Sequence, residues 1–248
     1  MQNTLRMIRA VAGREFQAYF TTPLALVFIV IFTALANALT FYVGNLFENG
    51  QASLERFFLY HPWLYLLLVP AIAMRLWAEE LQSGTIELLV TLPLSTAQAV
   101  VGKFLAAWAF IGLALTLTFP LWLSINVLGK PDNGPVVAGY IGSFLMAGAF
   151  LAIGSCLSAL TRNQVIAFVG AAAVSFLLVM SGLDIVLDGF RVWTPAIVVE
   201  AITALSFLSH FQSMIYGVLE LADIIFFLTM IAFWLFTTVV VLDLRKRL

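Results

Sequence analysis

Long apolar runs separated by short polar stretches set the plan of this chain. A helix needs about 20 apolar residues to cross a hydrocarbon core of about 30 Å. Six segments approach that length: Pro23 to Leu46, Phe57 to Met74, Phe104 to Leu128, Val136 to Leu160, Val165 to Leu187 and Leu221 to Leu242. The second is the shortest, and its opening His61-Pro62-Trp63 suits the membrane interface. Ahead of them, Leu5, Ile8, Ala12, Phe16 and Tyr19 share one helical face, with Arg6, Arg9, Gly13 and Gln17 on another. That spacing predicts an amphipathic helix over residues 4 to 20, lying on the membrane surface. Thr21-Thr22-Pro23 then turns the chain into the first span, proline being tolerated in a first helical turn. The leader lacks the h-region and cleavage pattern of a signal peptide, so the first span is expected to be retained as an anchor.

Two stretches interrupt this rhythm. Residues 76–102 lie between spans two and three and form a polar, cytoplasmic region. Residues 188–220 (DGFRVWTPAIVVEAITALSFLSHFQSMIYGVLE) are broken by Pro195 and polar positions, yet are too apolar for a free loop. Short helices dipping into the outer leaflet explain both properties, since irregular backbone at that depth must be satisfied by protein or water.

Composition leaves the membrane as the only solvent. The chain is 62% hydrophobic and 10% charged, with mean hydropathy +1.05, against about 45–50% apolar and about 25% charged in ordinary soluble domains. The expected fold is all-α: a single transmembrane domain over residues 1–248, with six spans, the interfacial helix 1–22 and outer-leaflet helices at 188–220. Cytoplasmic termini put Arg6, Arg9, Arg14, Arg75, Lys103, Arg162, Arg245, Lys246 and Arg247 inside, and Arg56, Lys130 and Arg191 outside. Nine against three, out of 12 Lys and Arg in all, favours that orientation. The net charge of −1 gives no reason to expect a nucleic-acid partner.

Several chemistries are excluded or disfavoured. The single cysteine, Cys156, rules out a disulfide framework or CxxC site and reads as a buried thiol. No GxxxxGK[ST] occurs, so the chain does not cradle and hydrolyse ATP alone. No HExxH occurs, and His61 and His210 lie in different segments, so no metal is expected. Ser181-Gly182 with His210 downstream lacks the GxSG of a rhomboid-type protease, Val179 standing where glycine is wanted. Asp184 and Asp188 are four apart at a span's outer end, which suits a wet mouth better than a dry aspartyl active site. The span interiors lack Asp, Glu, Lys and Arg, which argues against proton coupling. Ala167, Ala171 and Ser175 mark a close helix-packing face.

The polar region opens with MRLWAEELQSGTIELLVTLPLS, residues 74–95. Trp77, Leu81 and Leu88 fall on one helical side, and Glu80, Ser83 and Glu87 on another. Gly84 weakens or breaks this helix at a cost of about 1 kcal/mol. Glu79 and Glu80 are adjacent and do not face one another, so a paired acid and base is not indicated. Two readings remain: acidic residues favouring a helix dipole, or a docking helix with an apolar side on the membrane domain and an acidic side toward a partner.

The stretch PAIAMRLWAEELQSGTIELLVTLPLSTAQAVVGKFLAAW resembles the E…GT.E.LL…P.S…GK core of the membrane subunits of type-2 ABC exporters, especially the gliding-motility type. IGSCLSALTRNQVIAF and LSHFQSMIYGVLELADIIFFL continue the resemblance in order. It implies a non-catalytic permease subunit whose coupling helix docks on a separate ATP-binding subunit. The matching positions are Glu80, Gly84, Thr85, Glu87, Leu88, Leu89 and Pro93, with Glu79 beside them; Arg75 and Lys103 are expected to anchor the region at the interface. Where family members often carry basic residues after the first glutamate, this chain has Leu81, Gln82 and Ser83. The resemblance further implies a homodimer or heterodimer of membrane subunits in the bacterial inner membrane, lipid contact and a possible auxiliary periplasmic protein. ATP and Mg would be bound by the partner, not by this chain. The work done is export of a substrate, or alternatively transmission of force or a signal to a periplasmic partner.

Overall fold

The computed structural model describes residues 2–46, 53–85, 94–191 and 194–246. In chain order the helices are α1 (Gln2–Thr21), α2 (Pro23–Ala38, continued by a π turn Leu39–Val43), α3 (Glu55–Leu59), α4 (His61–Ala73) and α5 (Arg75–Ser83). There follow α6 (Thr96–Thr116), α7 (Phe119–Leu128), α8 (Asn133–Leu160), α9 (Gln164–Met180), α10 (Asp184–Arg191), α11 (Ala196–Ala204), α12 (Phe207–Ile215) and α13 (Leu221–Arg245). Every element among the described residues is helical, which satisfies the backbone inside a bilayer.

Four of these stretches are long and apolar enough to cross a membrane: Ala25–Val43, Thr96–Leu128, Asn133–Leu160 and Leu221–Arg245. The second and fifth expected spans do not reach that length as single helices. The second is divided into α3, α4 and α5. The fifth ends at Met180, where the Ser181 hydroxyl donates to the Leu178 carbonyl and Gly182 lies against Ser206. Asp184 to Leu187 therefore belong to α10, not to the span. Within residues 188–220, α11 and α12 form an apolar pair bent by 61°.

The buried helix α8 organises the bundle, with α4, α5, α6, α9, α12 and α13 packed around it. Lipid is as apolar as leucine, so this association depends on close packing and not on escape from water. Small residues provide it: a methyl at Gly142 would lie 2.6 Å from the Met214 sulfur on α12. Ala167, Ala171 and Ser175 are buried, as their spacing predicted, and so is Cys156.

α1 packs along α6. Its buried face centres on Val11, which fills the notch at Gly102, while Tyr19 stacks on Phe110 at 4.9 Å. Leu5, placed by periodicity on the apolar face, is 66% exposed. The notch at Gly102 turns the contact toward Val11 and Glu15, away from Leu5.

Candidate functional site

The described coupling residues sit on α5 or just past its end, and the geometry of α5 begins with α4. Tyr60 (φ −85°, ψ −12°) and Met74 (φ −56°, ψ −29°), the residues that separate α3, α4 and α5, keep right-handed helical dihedrals. At the α4–α5 joint Ser158 of α8 supplies a cap from another helix. Its hydroxyl donates to the Met74 carbonyl (2.8 Å) and accepts from the Trp77 and Ala78 amides (3.1 and 3.0 Å). One donor and two lone pairs are thereby all used. Ser155, one turn away, accepts from the Trp77 indole at 3.0 Å.

α5 buries Leu76, Trp77, Ala78 and Leu81 and exposes Glu79, Gln82 and Ser83. Gly84 ends it in the left-handed region (φ 74°), the usual conformation just past a helix C-terminus. Thr85 follows, exposed, its hydroxyl 2.9 Å from that of Ser83. Glu87, Leu88, Leu89 and Pro93 lie outside the described residues.

Lys103 reaches from α6 to α5. Its ammonium donates to Glu80 Oε1 at 2.6 Å and to the Leu76 carbonyl at 3.1 Å, and lies 3.7 Å from Glu15 Oε2 on α1. It also sits 5.1 Å from the Trp77 ring centre, where the π face favours a cation. One buried charge thus ties α1, α5 and α6. Glu80 accordingly faces inward, and its Oε2 is buried without a partner. The outward acidic group on α5 is Glu79, held by Arg75 through two contacts of 2.9 and 3.2 Å. That hydrogen bond raises the Arg75 pKa further above its ordinary value. Burial, with Glu15 nearby, raises the Tyr19 phenol. A cavity of about 430 Å³ opens between these elements, with Glu15, Tyr19, Arg75, Glu79, Glu80 and Lys103 on its wall. Glu15, Ser155 and Ser158 were not singled out from sequence; the signal was a polar residue on a buried helical face in each case.

The same end of the bundle gathers other basic residues. Arg245 donates to the Leu160 carbonyl, and Lys246 donates to the Thr96 hydroxyl at 2.6 Å.

The remaining polar candidates settle into structural roles or into a second cluster. Ser181 bonds the Leu178 carbonyl and leaves the serine–histidine protease reading without a pair. His61 is buried, 2.7 Å from Ser143, which also meets the Tyr65 hydroxyl at 2.7 Å. His210 and Asp223 form a pair at 2.6 Å. Asp223 lies two residues inside the last expected span and is buried, so that span does carry a carboxylate in its first turn. Among the described residues no group of three His, Cys, Asp or Glu is arranged to hold a metal ion.

Compared with known families, residues 9–242 match the model of the ABC-2 family transporter proteins. No curated protein matches the chain.

Proposed function

Because the chain belongs to the ABC-2 transporter family, we propose that it is the permease subunit through which a separate ATP-binding-cassette chain drives export. The observation that supports this reading most is the joint at Met74. α4 passes into α5 through Met74 in a helical conformation, and Ser158 and Lys103 fasten α5 to α8 and α6. A displacement applied at the exposed tip Gly84–Thr85 would therefore reach the membrane helices as a rigid tilt.

In this reading the chain crosses the inner membrane of a bacterium six times, through α2, the α3–α5 rod, α6–α7, α8, α9 and α13, with both termini cytoplasmic. Two permease chains, alike or related, surround the pathway. Nucleotide and magnesium belong to the partner, and this chain's contribution is mechanical. Glu79, Gly84, Thr85, Glu87, Leu88, Leu89 and Pro93 form the docking element, while Glu80 braces it from within. The gliding-motility type is the subfamily proposed, with an auxiliary periplasmic protein as a further partner.

The test is to purify the tagged chain from its native membranes. An ATP-binding-cassette chain should co-elute and be identified by mass spectrometry. Thr85→Cys, in a Cys156→Ala background, should crosslink to it, and Glu87→Lys should reduce its ATPase activity in the complex. Recovery of the chain without such a partner overturns the reading. A co-eluting ATPase that never crosslinks to position 85 removes the docking assignment alone.

A further inference from the structure

At the end of the bundle away from Lys103, one imidazole joins three elements. His210 on α12 stacks on Phe226 of α13, with ring centres 3.9 Å apart. Its Nδ1 lies 2.6 Å from Asp223 Oδ1 on α13, and its Nε2 lies 3.1 Å from the carbonyl of Ala204, the last residue of α11. The buried Asp223 carboxylate also accepts from the Ser213 hydroxyl. His210 therefore fastens both arms of the bent α11–α12 pair to the head of α13. Beside it lies a cavity of about 770 Å³, walled in part by Val199, Glu200, Ala204, His210, Glu220 and Asp223.

The hydrogen count at this ring is informative. A carbonyl oxygen only accepts, and so does a carboxylate. Two hydrogens are needed for the two ring contacts, and a neutral imidazole carries one. Both ring contacts are satisfied at once only when the His210–Asp223 pair holds one extra proton, on the ring or shared with the carboxylate. When it leaves, one contact becomes a lone pair facing a lone pair, whichever tautomer forms. The fastening to α11 or the fastening to α13 is then lost.

The charged surroundings of the ring are Glu200 from α11, Glu220 at the head of α13, and Arg191 from α10, itself 2.8 Å from Asp188. α8 and α9 pack against α12 without any charged side chain; the titratable groups of α8, Tyr140 and Cys156, pair with Thr118 and Thr238. α3 brings the exposed Glu55 and Arg56, Glu55 lining a separate cavity beside Ile215 at the far end of α12. Among the described residues these are the charged groups around the imidazole besides Asp223.

We propose that the His210–Asp223 pair is a proton-operated latch. Holding the extra proton, it closes the α11–α12 pair onto α13; losing it releases that pair and widens the cavity beside it. Protonation of a histidine is one of the ways a packed interface is switched between two arrangements.

The test uses the full chain in nanodiscs, in a Cys156→Ala background, with spin labels at Ile197→Cys and Leu221→Cys. Both native side chains are exposed, at 73% and 71%. The distance distribution should be narrow at acid pH and become longer and broader as pH rises, with a one-proton transition. His210→Gln should give the broad distribution at every pH. Asp223→Asn places an amide N–H where the Nδ1 of a neutral ring needs a donor, so the distribution should stay narrow as pH rises. A distribution in the otherwise native chain that does not change with pH overturns the proposal. So does a transition that persists in His210→Gln, or one left unmoved by Asp223→Asn if the histidine variant does not fold.

Discussion

Lys103 Nζ stands 2.6 Å from Glu80 Oε1, and the lysine side chain is only 5% exposed. Glu80 came from a cluster of glutamates that reads, in sequence, as a surface offered to a partner. In the fold it is the internal counter-charge of a lysine buried between α1, α5 and α6. The buried charge is tolerated because the Leu76 carbonyl and Glu80 accept two of its N–H donors and Glu15 adds a second carboxylate nearby.

Removing one member of this pair should be costly. Lys103→Met leaves the largely buried Glu80 without its cation, a loss of about 3 kcal/mol for a broken buried pair. Glu80→Gln keeps an acceptor for the ammonium and should cost less. The double variant Lys103→Met/Glu80→Leu should recover part of the loss. Thermal unfolding of the purified chain in detergent measures all three, and a double variant as unstable as the sum of the singles would deny the coupling.

Ser158→Ala removes the cap at the α4–α5 joint. Two buried amides and a carbonyl lose their partner, at about 1–3 kcal/mol. Ser155→Ala takes away one indole bond and should cost about 1 kcal/mol or less. Equal effects in the same unfolding assay would mean that the joint is not held by Ser158.

Gly84→Ala forces a Cβ into the left-handed region, at about 1 kcal/mol. Space is not the obstacle, since a methyl there meets nothing within 4 Å. Gly84→Asn should be the milder change, because asparagine tolerates that conformation better. If both destabilise the chain equally, the backbone explanation fails.

The two ends of the bundle should label from opposite sides. In a Cys156→Ala background, Thr85→Cys should react with an impermeant maleimide only from the cytoplasmic face of oriented vesicles. Gly189→Cys, where a side chain meets nothing within 4 Å, should react only from the other face. Labelling of both from one side would overturn the six-span topology.

Much of the helical plan was legible because the bilayer imposes one strong rule, that apolar runs must be helical and long. Gly84 as a helix stop, Thr22-Pro23 as a helix start and the Ala167/Ala171/Ser175 face were readable from local chemistry. The division of the second span was not, because Ser158, more than 80 positions away in sequence from Met74 and Trp77, satisfies the groups freed at Met74. Nor was the register of α1, where Gly102 on another helix selects Val11 over Leu5.

The amino-acid sequence by itself determined the solvent, the helical class, the excess of cations assigned to the cytoplasmic side and the place where a polar tip interrupts the spans. These follow from composition and periodicity, which act over neighbouring residues. Only the tertiary structure decided which carboxylates stand exposed and which face a buried lysine. The same is true of His210, which in sequence stands alone, and of Asp223 thirteen residues on. Hydrogen bonds and ion pairs act over about 3 Å, so their partners are chosen by how helices pack and not by the order of the chain.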